Sequence, residues 1–404
     1  MERYNEYKDS GVQWLGEIPS HWGLRRTKYV WKETDSRSEF GSEQLLSVSQ
    51  YDGVREAQSD SRSESLKGYK IVKQDELVIN IMLAWLGGLG VSKHEGIVSP
   101  AYCVYKLQDT QNPRFLHYLY RTPMYLAEFA RHSTGIVPSR WRMYTDDFGE
   151  VLTLLPPIEE QDAMVAYLDT ATAKIDEAIA QQQKMIDLLN ERKKIIINYA
   201  VTKGLNPDVP MKDSGVDWIG EIPEYWMTRR MRYLCKIKTG DKDTINRVDE
   251  GKYPFYVRSP KVERINSYTF DGEAVLMAGD GVGAGKVFHY VNGKFGCHQR
   301  VYIFHDIKNI NGEYLYFYMK SLFKHTIEQL SAKSTVDSVR LNMIQDFIVA
   351  IPTNEEQTSI LSYLHKQIEK FDVAIANATK QISLLQERKQ IIINDVVTGK
   401  VKVS

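Results

Sequence analysis

Long hydrophobic runs are missing from this sequence of 404 residues. No apolar stretch reaches the roughly 20 residues that a membrane-spanning helix needs. The first ten residues, MERYNEYKDS, contain neither the apolar stretch nor the cleavage site of a signal peptide. We therefore expect a cytoplasmic protein with no membrane partner.

Cysteine is also scarce. Cys103, Cys235 and Cys297 are far apart and lack C-x-x-C spacing. This pattern supports neither a disulfide framework nor a structural zinc site. We expect three reduced thiols, most of them in the core.

An excess of charge is missing too, because 52 Lys and Arg residues balance 52 Asp and Glu residues. A net charge of zero gives no global attraction to a polyanion. Basic residues nevertheless cluster locally, at Arg25, Arg26 and Lys28, at Arg229, Arg230 and Arg232, and on both sides of Trp141. Such clusters are either phosphate contacts or simply a solvated basic surface.

Sequence motifs for catalysis are not found. The stretch from Gly279 to Val287 (GDGVGAGKV) resembles a phosphate-binding loop, but Asp280 stands at its first required glycine and Val287 at its Ser/Thr position. Methyltransferase, zinc-protease and serine-hydrolase motifs are missing as well. We therefore predict a protein that is not an enzyme and has no catalytic or metal site. The glycines here, like Gly87 and Gly88 in the first half, are expected to allow tight turns or the close approach of backbone to a ligand.

What the sequence does contain is a duplication. Lys8–Trp22 (KDSGVQWLGEIPSHW) and Lys212–Trp226 (KDSGVDWIGEIPEYW) agree at eleven of fifteen positions, at an offset of 204. Glu191–Asn198 (ERKKIIIN) recurs as Glu387–Asn394 (ERKQIIIN) at an offset of 196. The segments between these copies hardly resemble each other. The chain is therefore predicted to repeat one framework around two different domains.

Each half ends in a predicted long helix. No Pro or Gly occurs between Glu159 and Ala200, or after Pro352 until Gly399. Apolar residues follow coiled-coil spacing in both helices. They are Leu168, Ile175, Ile179, Ile186, Leu189 and Ile196 in the first helix, and Leu364, Phe371, Ile375, Ile382, Leu385 and Ile392 in the second. About 40 residues give a helix of ~60 Å.

The matching seams predict that the two helices pack on each other. The linker Val201–Met211 (VTKGLNPDVPM) contains Gly, Asn and two Pro and leads directly into a new domain, which favours an antiparallel coiled coil over a parallel one. A coiled coil between two chains is the alternative. In the antiparallel arrangement the N-terminal Lys8–Trp22 packs beside the end of the second helix, as Lys212–Trp226 packs beside the end of the first. The termini are then close together. The outer helix faces are expected to be apolar and to need covering, for example at Ile195, Ile197, Ile391 and Ile393.

The two variable segments share one order of elements. In the first, strands are predicted at Leu77–Ile81, Ala101–Leu107 and Val151–Leu155, with helical sequence near Arg114–Ala130. In the second, the predicted strands are Ala274–Met277, Val301–Phe304 and Phe347–Ile351, with a helix over Gly312–Leu330. The predicted fold class is α+β, with two α/β domains separated by two long helices in a circular, pseudo-two-fold internal repeat.

Several motifs together resemble the specificity (S) subunit of Type I restriction-modification systems. They are the helix start PPIEEQ at 156–161, its counterpart PTNEEQ at 352–357, the S-G-V-x-W-[IL]-G-x-I-P-x-x-W segments and the E-R-K-x-I-I-I-N helix ends. Ser99-Pro100-Ala101-Tyr102 also looks like a family segment, and its counterpart near Gly296–Val301 departs from it. The resemblance covers nearly the whole chain.

This resemblance implies DNA recognition for phage defence. In the family, each variable region is a target recognition domain that reads one half of a split DNA site, and the helices set the gap and dock methyltransferase subunits. The implied boundaries are 1–157 for the first recognition domain, 158–206 for the first spacer helix, 207–353 for the second domain and 354–404 for the second helix. Two different domains imply an asymmetric site, and a change in helix length should change the gap.

The implied partners are double-stranded DNA, two methyltransferase (M) subunits and, in the larger complex, two restriction (R) subunits. No cofactor is expected in this chain. The methyltransferase is expected to use S-adenosylmethionine, and the restriction subunit ATP and Mg²⁺. Two alternatives remain, a DNA reader for another methylation-based defence effector and a protein-only coiled-coil scaffold.

Candidate base contacts lie in the loop before each closing strand, since base edges are read by Arg, Lys, Asn, Gln, Ser and Thr on exposed loops. The candidates are Ser139, Arg140, Trp141 and Arg142 in the first domain, and Lys333, Ser334, Thr335, Ser338 and Arg340 in the second. The alternative for each is a turn cap or a solvated side chain, and for Trp141 a place in the core.

Overall fold

The computed structural model describes residues 2–51, 53–57, 65–137, 140–331 and 338–403. The chain divides into two compact units. Unit 1 contains Met1–Gln182 and Lys380–Ser404, and unit 2 contains Gln183–Thr379. Each unit therefore includes part of both long helices. None of the helices in the described part of the chain has the length and apolar character needed to cross a membrane.

The described strands of unit 1 are β1 Tyr7–Asp9, β2 Glu17–Pro19, β3 Gly23–Arg26, β4 Trp31–Thr34, β5 Leu46–Ser49, β6 Gly53–Glu56, β7 Lys70–Val72, β8 Leu77–Asn80, β9 Leu89–Val91, β10 Gly96–Val98, β11 Tyr102–Leu107 and β12 Leu152–Leu155. Four of them form the central antiparallel sheet, in the order β4-β11-β8-β9. The short helices of unit 1 are α1 Pro113–Tyr120, α2 Pro123–Arg131 and α3 Thr145–Glu150. They pack on the sheet around buried aromatic rings, among them those of Phe115, Tyr120 and Phe129.

The described strands of unit 2 are β13 Met211–Asp213, β14 Glu221–Pro223, β15 Met227–Arg230, β16 Lys236–Thr239, β17 Tyr253–Tyr256, β18 Glu263–Ile265, β19 Phe270–Ala278, β20 Phe288–Cys297, β21 Val301–His305 and β22 Ile348–Ile351. The helices of unit 2 are α5 Gly312–Ser331 and α6 Leu341–Gln345. Six of the strands form one sheet, in the order β16-β21-β19-β20-β17-β18. The first four strands of this sheet, β16-β21-β19-β20, reproduce β4-β11-β8-β9 of unit 1, so the two domains share one plan.

The long helices are α4, Ile158–Lys203, and α7, Asn354–Val397. In unit 1 the beginning of α4 packs with the end of α7, where Leu168 and Val396 lie in one core. In unit 2 the end of α4 packs with the beginning of α7, where Val201 and Leu364 lie in one core. Within each unit the two helices thus run antiparallel. All twelve predicted seam residues are buried or partly buried.

Two ion pairs at equivalent positions accompany these helix contacts. In unit 1 the Lys389 ammonium lies 2.7 Å from the Asp176 carboxylate. In unit 2 the Lys193 ammonium lies 2.6 Å from the Asp372 carboxylate. The offset of 196 relates Asp176 to Asp372 and Lys193 to Lys389. Exposed pairs of this kind stabilise little, but their recurrence indicates the same helix register in both units.

The repeated E-E-Q motif fastens the start of each long helix. The Gln161 side-chain amide donates to the Pro156 carbonyl at 2.8 Å and accepts from the Asn112 backbone N–H at 2.9 Å. Gln357 makes the same two bonds, to the Pro352 carbonyl at 3.0 Å and from the Asn311 N–H at 2.7 Å. Asn112 and Asn311 in turn cap α1 and α5 through their side-chain oxygens. The motif therefore connects each spacer helix to the adjacent domain.

The preceding glutamate binds a buried tryptophan of the repeated segment. The Trp22 indole N–H donates to Glu160 at 3.1 Å, and the Trp226 indole N–H donates to Glu356 at 2.9 Å. Both indoles are fully buried. A side chain at Gly399, which has a φ of 74°, would meet Trp22 and Pro19. We call these arrangements the tryptophan clasps of units 1 and 2.

The termini meet in unit 1, as the sequence predicts. The Lys402 backbone N–H donates to the Glu2 carbonyl at 2.8 Å, and the Tyr7 hydroxyl donates to the Gly399 carbonyl at 3.0 Å. The N-terminal segment thus completes unit 1 beside the end of α7, and Lys212–Trp226 does the same in unit 2 beside the end of α4.

Three details differ from the sequence predictions. The helical stretch expected near 114–130 consists of two helices, because Thr122 caps the second one and Pro123 occupies its first turn. Ile393 is buried in the core of unit 1 rather than exposed, and Ile197 is partly buried against the core of unit 2. Ile195 and Ile391 do lie on the surface, at 59% and 52% exposure.

We expect the tryptophan clasp of unit 1 to weaken in acid. Burial alone raises the pKa of Glu160, but hydrogen bonds from His21, Tyr4 and Trp22 outweigh burial and lower this pKa below its usual 4.5. A carboxylate with a lowered folded-state pKa stabilises the protein above pH 4.5, and this stabilisation is lost as the pH falls through the folded-state value. Melting temperatures of the wild type and Glu160→Gln should therefore differ at pH 7 and converge below pH 4.5. A difference that stays constant from pH 7 to pH 3 would contradict this role.

Candidate nucleic-acid interface

The two loops predicted to contact bases occupy equivalent places in the two units. In unit 1 the Met143 N–H donates to the Ile81 carbonyl at 3.0 Å. In unit 2 the Val339 N–H donates to the Gly279 carbonyl at 2.7 Å. Ile81 and Gly279 each follow by one residue an equivalent strand, β8 or β19. Each loop therefore packs on the turn after that strand.

In unit 1 the described part of the loop forms a narrow hairpin. Thr134 and Arg142 exchange two backbone hydrogen bonds of 3.0 and 2.9 Å. Arg140 is exposed near the tip, whereas Trp141 and Arg142 are half-buried. Trp141 packs edge-on against Trp85, with ring centroids 5.3 Å apart. Ser139 lies outside the described residues.

The surface around these two tryptophans is apolar. Trp85 belongs to the turn after β8 and donates its indole N–H to the Met82 carbonyl at 3.2 Å. The segments that carry this pair also contain exposed apolar side chains, at Met82, Leu83, Leu86, Ile136 and Val137. Ile136 is 95% exposed at the hairpin tip. A surface of this kind suits methyl groups and base faces better than phosphate.

In unit 2 the corresponding loop is polar. Ser338 pairs with Asp280 through the backbone, beyond the end of β19. Arg340 is exposed and immediately precedes α6. Lys333, Ser334 and Thr335 lie outside the described residues.

The sequence analysis missed two arginines beside this loop. Arg258 Nη1 lies 3.1 Å from Asp280 Oδ1, and Arg300 Nη1 lies 2.8 Å from Asp280 Oδ2. We call these three residues the arginine–aspartate cluster. Its members come from three separate segments of the chain. Local sequence therefore gave no signal for it, except the glycine-rich stretch that contains Asp280.

Those glycines make room for protein backbone. A Cβ at Gly283 would lie 2.3 Å from the Arg258 carbonyl oxygen. A Cβ at Gly279 would lie 2.8 Å from the Tyr302 ring and 3.1 Å from the Arg300 carbonyl oxygen. The stretch thus brings both arginine backbones close to the Asp280 loop. The glycine-rich stretch forms the turn between strands β19 and β20. It is not a phosphate-binding loop, because strand β20 and not a long helix begins at its end.

The basic clusters nearest the repeated segments are largely ion-paired. Arg26 and Lys28 bind the Glu150 carboxylate, and Arg25 binds Asp109. In unit 2 both Arg230 and Arg232 bind Asp346. These pairs join β3, β15 and the turns that follow them to later segments of the chain, which favours a structural role for the clusters over phosphate binding.

The described residues offer little for catalysis. Burial raises the pKa of the Cys235 and Cys297 thiols to about 12, which keeps them protonated and unreactive. Burial lowers the pKa of His117 to about 3, helped by the nearby Arg121, Lys93 and Arg114. His117 is therefore a neutral acceptor for the Val91 N–H at 3.1 Å. Within the described ranges no three His, Cys, Asp or Glu side chains group as a metal site would need.

Comparison with known proteins agrees with this architecture. Residues 223–384 match the family model of the Type I restriction modification DNA specificity domain. The specificity subunit of the Type I restriction enzyme EcoDI from Escherichia coli is 34% identical over 173 residues. That match covers 43% of this chain but only 36% of the EcoDI subunit, or about a third of its length.

Two longer matches extend over nearly the whole chain. The putative Type I restriction enzyme MjaX specificity subunit of Methanocaldococcus jannaschii is 25% identical over 439 residues, which is 96% of each chain. A solved chain from a study of complex assembly and conformational transition of the type I R-M system has a TM-score of 0.69 at 15% identity. It covers 95% of this chain and 99% of its own, and it shows the shared fold.

The fold and the loops thus define an α+β protein of two similar units, each with a different candidate recognition surface. Along nearly its whole length the chain is similar to Type I restriction-modification specificity subunits, as the sequence motifs had indicated.

Proposed function

We propose that this chain is the non-catalytic DNA-specificity subunit of a Type I restriction-modification complex. In this proposal the domains within 1–157 and 207–353 each read one half of an asymmetric, bipartite DNA site. The helices within 158–206 and 354–404 set the gap between the halves. The observation that carries the proposal is the different chemistry at two equivalent places, with exposed apolar side chains in unit 1 and the arginine–aspartate cluster in unit 2.

The base contacts are proposed to come from these loops and the turns beneath them. In unit 1 they include Ser139, Arg140, Trp141 and Arg142. In unit 2 they include Lys333, Ser334, Thr335, Ser338 and Arg340. Chemically different side chains at one topological position are what two domains need to read different base sequences with the same fold.

The proposed partners are two methyltransferase subunits that use S-adenosylmethionine, with restriction subunits that use ATP and Mg²⁺ in the larger complex. Support comes from exposed apolar residues that recur in both repeats. Leu188 and Ile195 on α4 are matched by Leu384 and Ile391 on α7, at the same offset of 196. Solvent alone gives no reason to keep apolar side chains at the same exposed positions twice.

Methylation mapping tests the proposal. Genomic DNA is sequenced from cells that express this chain with its methyltransferase, and from cells that express the methyltransferase alone. We expect methyladenine confined to a split, asymmetric motif only when the chain is present. If both proteins are expressed and no such methylation appears, the proposed function is wrong.

DNA binding by the purified complex separates this function from a protein-only scaffold. We expect affinity for duplex DNA to fall steeply with salt, by about 10³-fold or more between 50 and 200 mM for six or more phosphate contacts. A scaffold would bind DNA weakly at every salt concentration. Filter binding or fluorescence anisotropy at several salt concentrations measures the slope.

A further inference from the structure

The arginine–aspartate cluster of unit 2 has more donors than its internal contacts use. Asp280 accepts from Nη1 of Arg258 and from Nη1 of Arg300. No other side-chain hydrogen bond of these two guanidinium groups occurs with the described residues. The edge formed by Nε and Nη2 is therefore available on each arginine. Two guanidinium groups and one carboxylate also leave the cluster with one net positive charge.

The cluster is both accessible and held in place. The side chains of Arg258 and Arg300 are 41% and 56% exposed, whereas Asp280 is only 22% exposed. The Gly279 N–H donates to the Arg300 carbonyl at 2.9 Å, and Gly279 accepts from the Val339 N–H. The Tyr302 hydroxyl donates to the Val339 carbonyl at 3.0 Å. The backbone around Asp280 is thus fixed on two sides, and Asp280 positions both arginines.

Stability alone gives little reason for this arrangement. Exposed ion pairs contribute little to folding, yet the chain places glycines at 279 and 283 where any side chain would collide with the arginine segments. Two guanidinium groups held in fixed orientations on the surface have instead the properties of a recognition element. A guanidinium edge held in one orientation matches the O6 and N7 acceptors of guanine in the major groove.

Unit 1 has nothing similar at the same place. Met82 follows β8 by two residues, as Asp280 follows β19. Ala101 immediately precedes β11, as Arg300 immediately precedes β21. The charged positions of unit 2 are therefore uncharged in unit 1. The cluster belongs to the variable chemistry of one domain and not to the repeated framework.

We infer that Arg258 and Arg300, positioned by Asp280, read guanine in the half-site recognised by the unit 2 domain. This inference rests on the proposed function. It assigns a base to one half of the site and adds three residues that determine specificity. Arg258 and Arg300 contact the bases, and Asp280 orients them.

The first test maps methylation motifs for the wild type, Arg258→Gln, Arg300→Gln and Asp280→Asn, each expressed as the full chain with its methyltransferase. The wild-type motif should contain guanine in one half. The arginine variants should accept other bases at that position, with discrimination reduced about 10-fold, and the other half should not change. Asp280→Asn should weaken the same discrimination. Arg247→Gln is the matched control, since Arg247 is also exposed and ion-paired in unit 2, and should leave the motif unchanged.

The second test replaces the guanine by 7-deazaguanine, which lacks the N7 acceptor, in a duplex bound by the purified methyltransferase complex. Wild-type affinity should fall about 10-fold, and the affinity of the arginine variant should not fall further. A wild-type motif without guanine in either half would overturn the inference while leaving the proposed function intact. A uniform loss of affinity without a change in base preference would also overturn it, because that result indicates phosphate contacts. Absence of any motif would instead contradict the proposed function.

Discussion

Trp226→Ala is expected to lower the free energy of unfolding of unit 2 by about 3–5 kcal/mol. The indole is fully buried, and its N–H is 2.9 Å from the Glu356 carboxylate. Removal of the indole leaves a large cavity beside Gly204, where a Cβ atom would lie 3.4 Å from the indole ring. It also removes one hydrogen-bond donor from Glu356.

Two further variants separate these contributions. Trp226→Phe keeps most of the buried ring and removes only the N–H, and should cost about 1–3 kcal/mol. Trp218→Ala removes a partly buried ring that stacks on Phe347, with ring centroids 5.1 Å apart. This substitution should lower the free energy of unfolding by less than Trp226→Ala does. Hydrogen exchange resolved by peptide reports unit 2 separately from unit 1. If Trp226→Ala and Trp218→Ala lower the free energy of unfolding of unit 2 equally, the tryptophan clasp of unit 2 has no special importance for stability.

The repeated sequence predicted the framework because the same contacts occur twice. Trp22 and Trp226, and likewise Gln161 and Gln357, face equivalent partners. One sequence therefore contained two versions of each structural constraint. The apolar seam of the long helices could also be predicted from the sequence, since its spacing of three, four and seven residues depends only on helix geometry.

The arginine–aspartate cluster could not be predicted from the sequence in this way. Arg258, Asp280 and Arg300 come from three segments that only the sheet brings together, and the other repeat has no copy of them. The burial of Ile393 was missed for a related reason. Ile393 lies in a core that also contains residues of the N-terminal segment and of the first domain, so the periodicity of α7 alone did not contain the information.

Replacing Leu188 and Ile195 together by aspartate is expected to remove one of two bound methyltransferase subunits. This prediction rests on the proposed partners. Both side chains are more than half exposed on the unit 2 part of α4, so the substitution should not disturb the core. Two new charges in an apolar contact should weaken that site by about 100-fold or more.

The internal repeat supplies a second, equivalent site for comparison. Leu384→Asp with Ile391→Asp should remove the other copy, because these residues occupy the equivalent positions on α7 in unit 1. The quadruple variant should bind none, and Lys194→Asp, an exposed polar position on α4, should still bind two. Native mass spectrometry of the co-expressed complex counts the copies. If either double variant retains two subunits, the exposed stripes are not docking surfaces; if either loses both, the two sites are not independent. Only the stepwise result, from two copies to one and then to none, agrees with a chain that repeats its framework to hold the same partner twice.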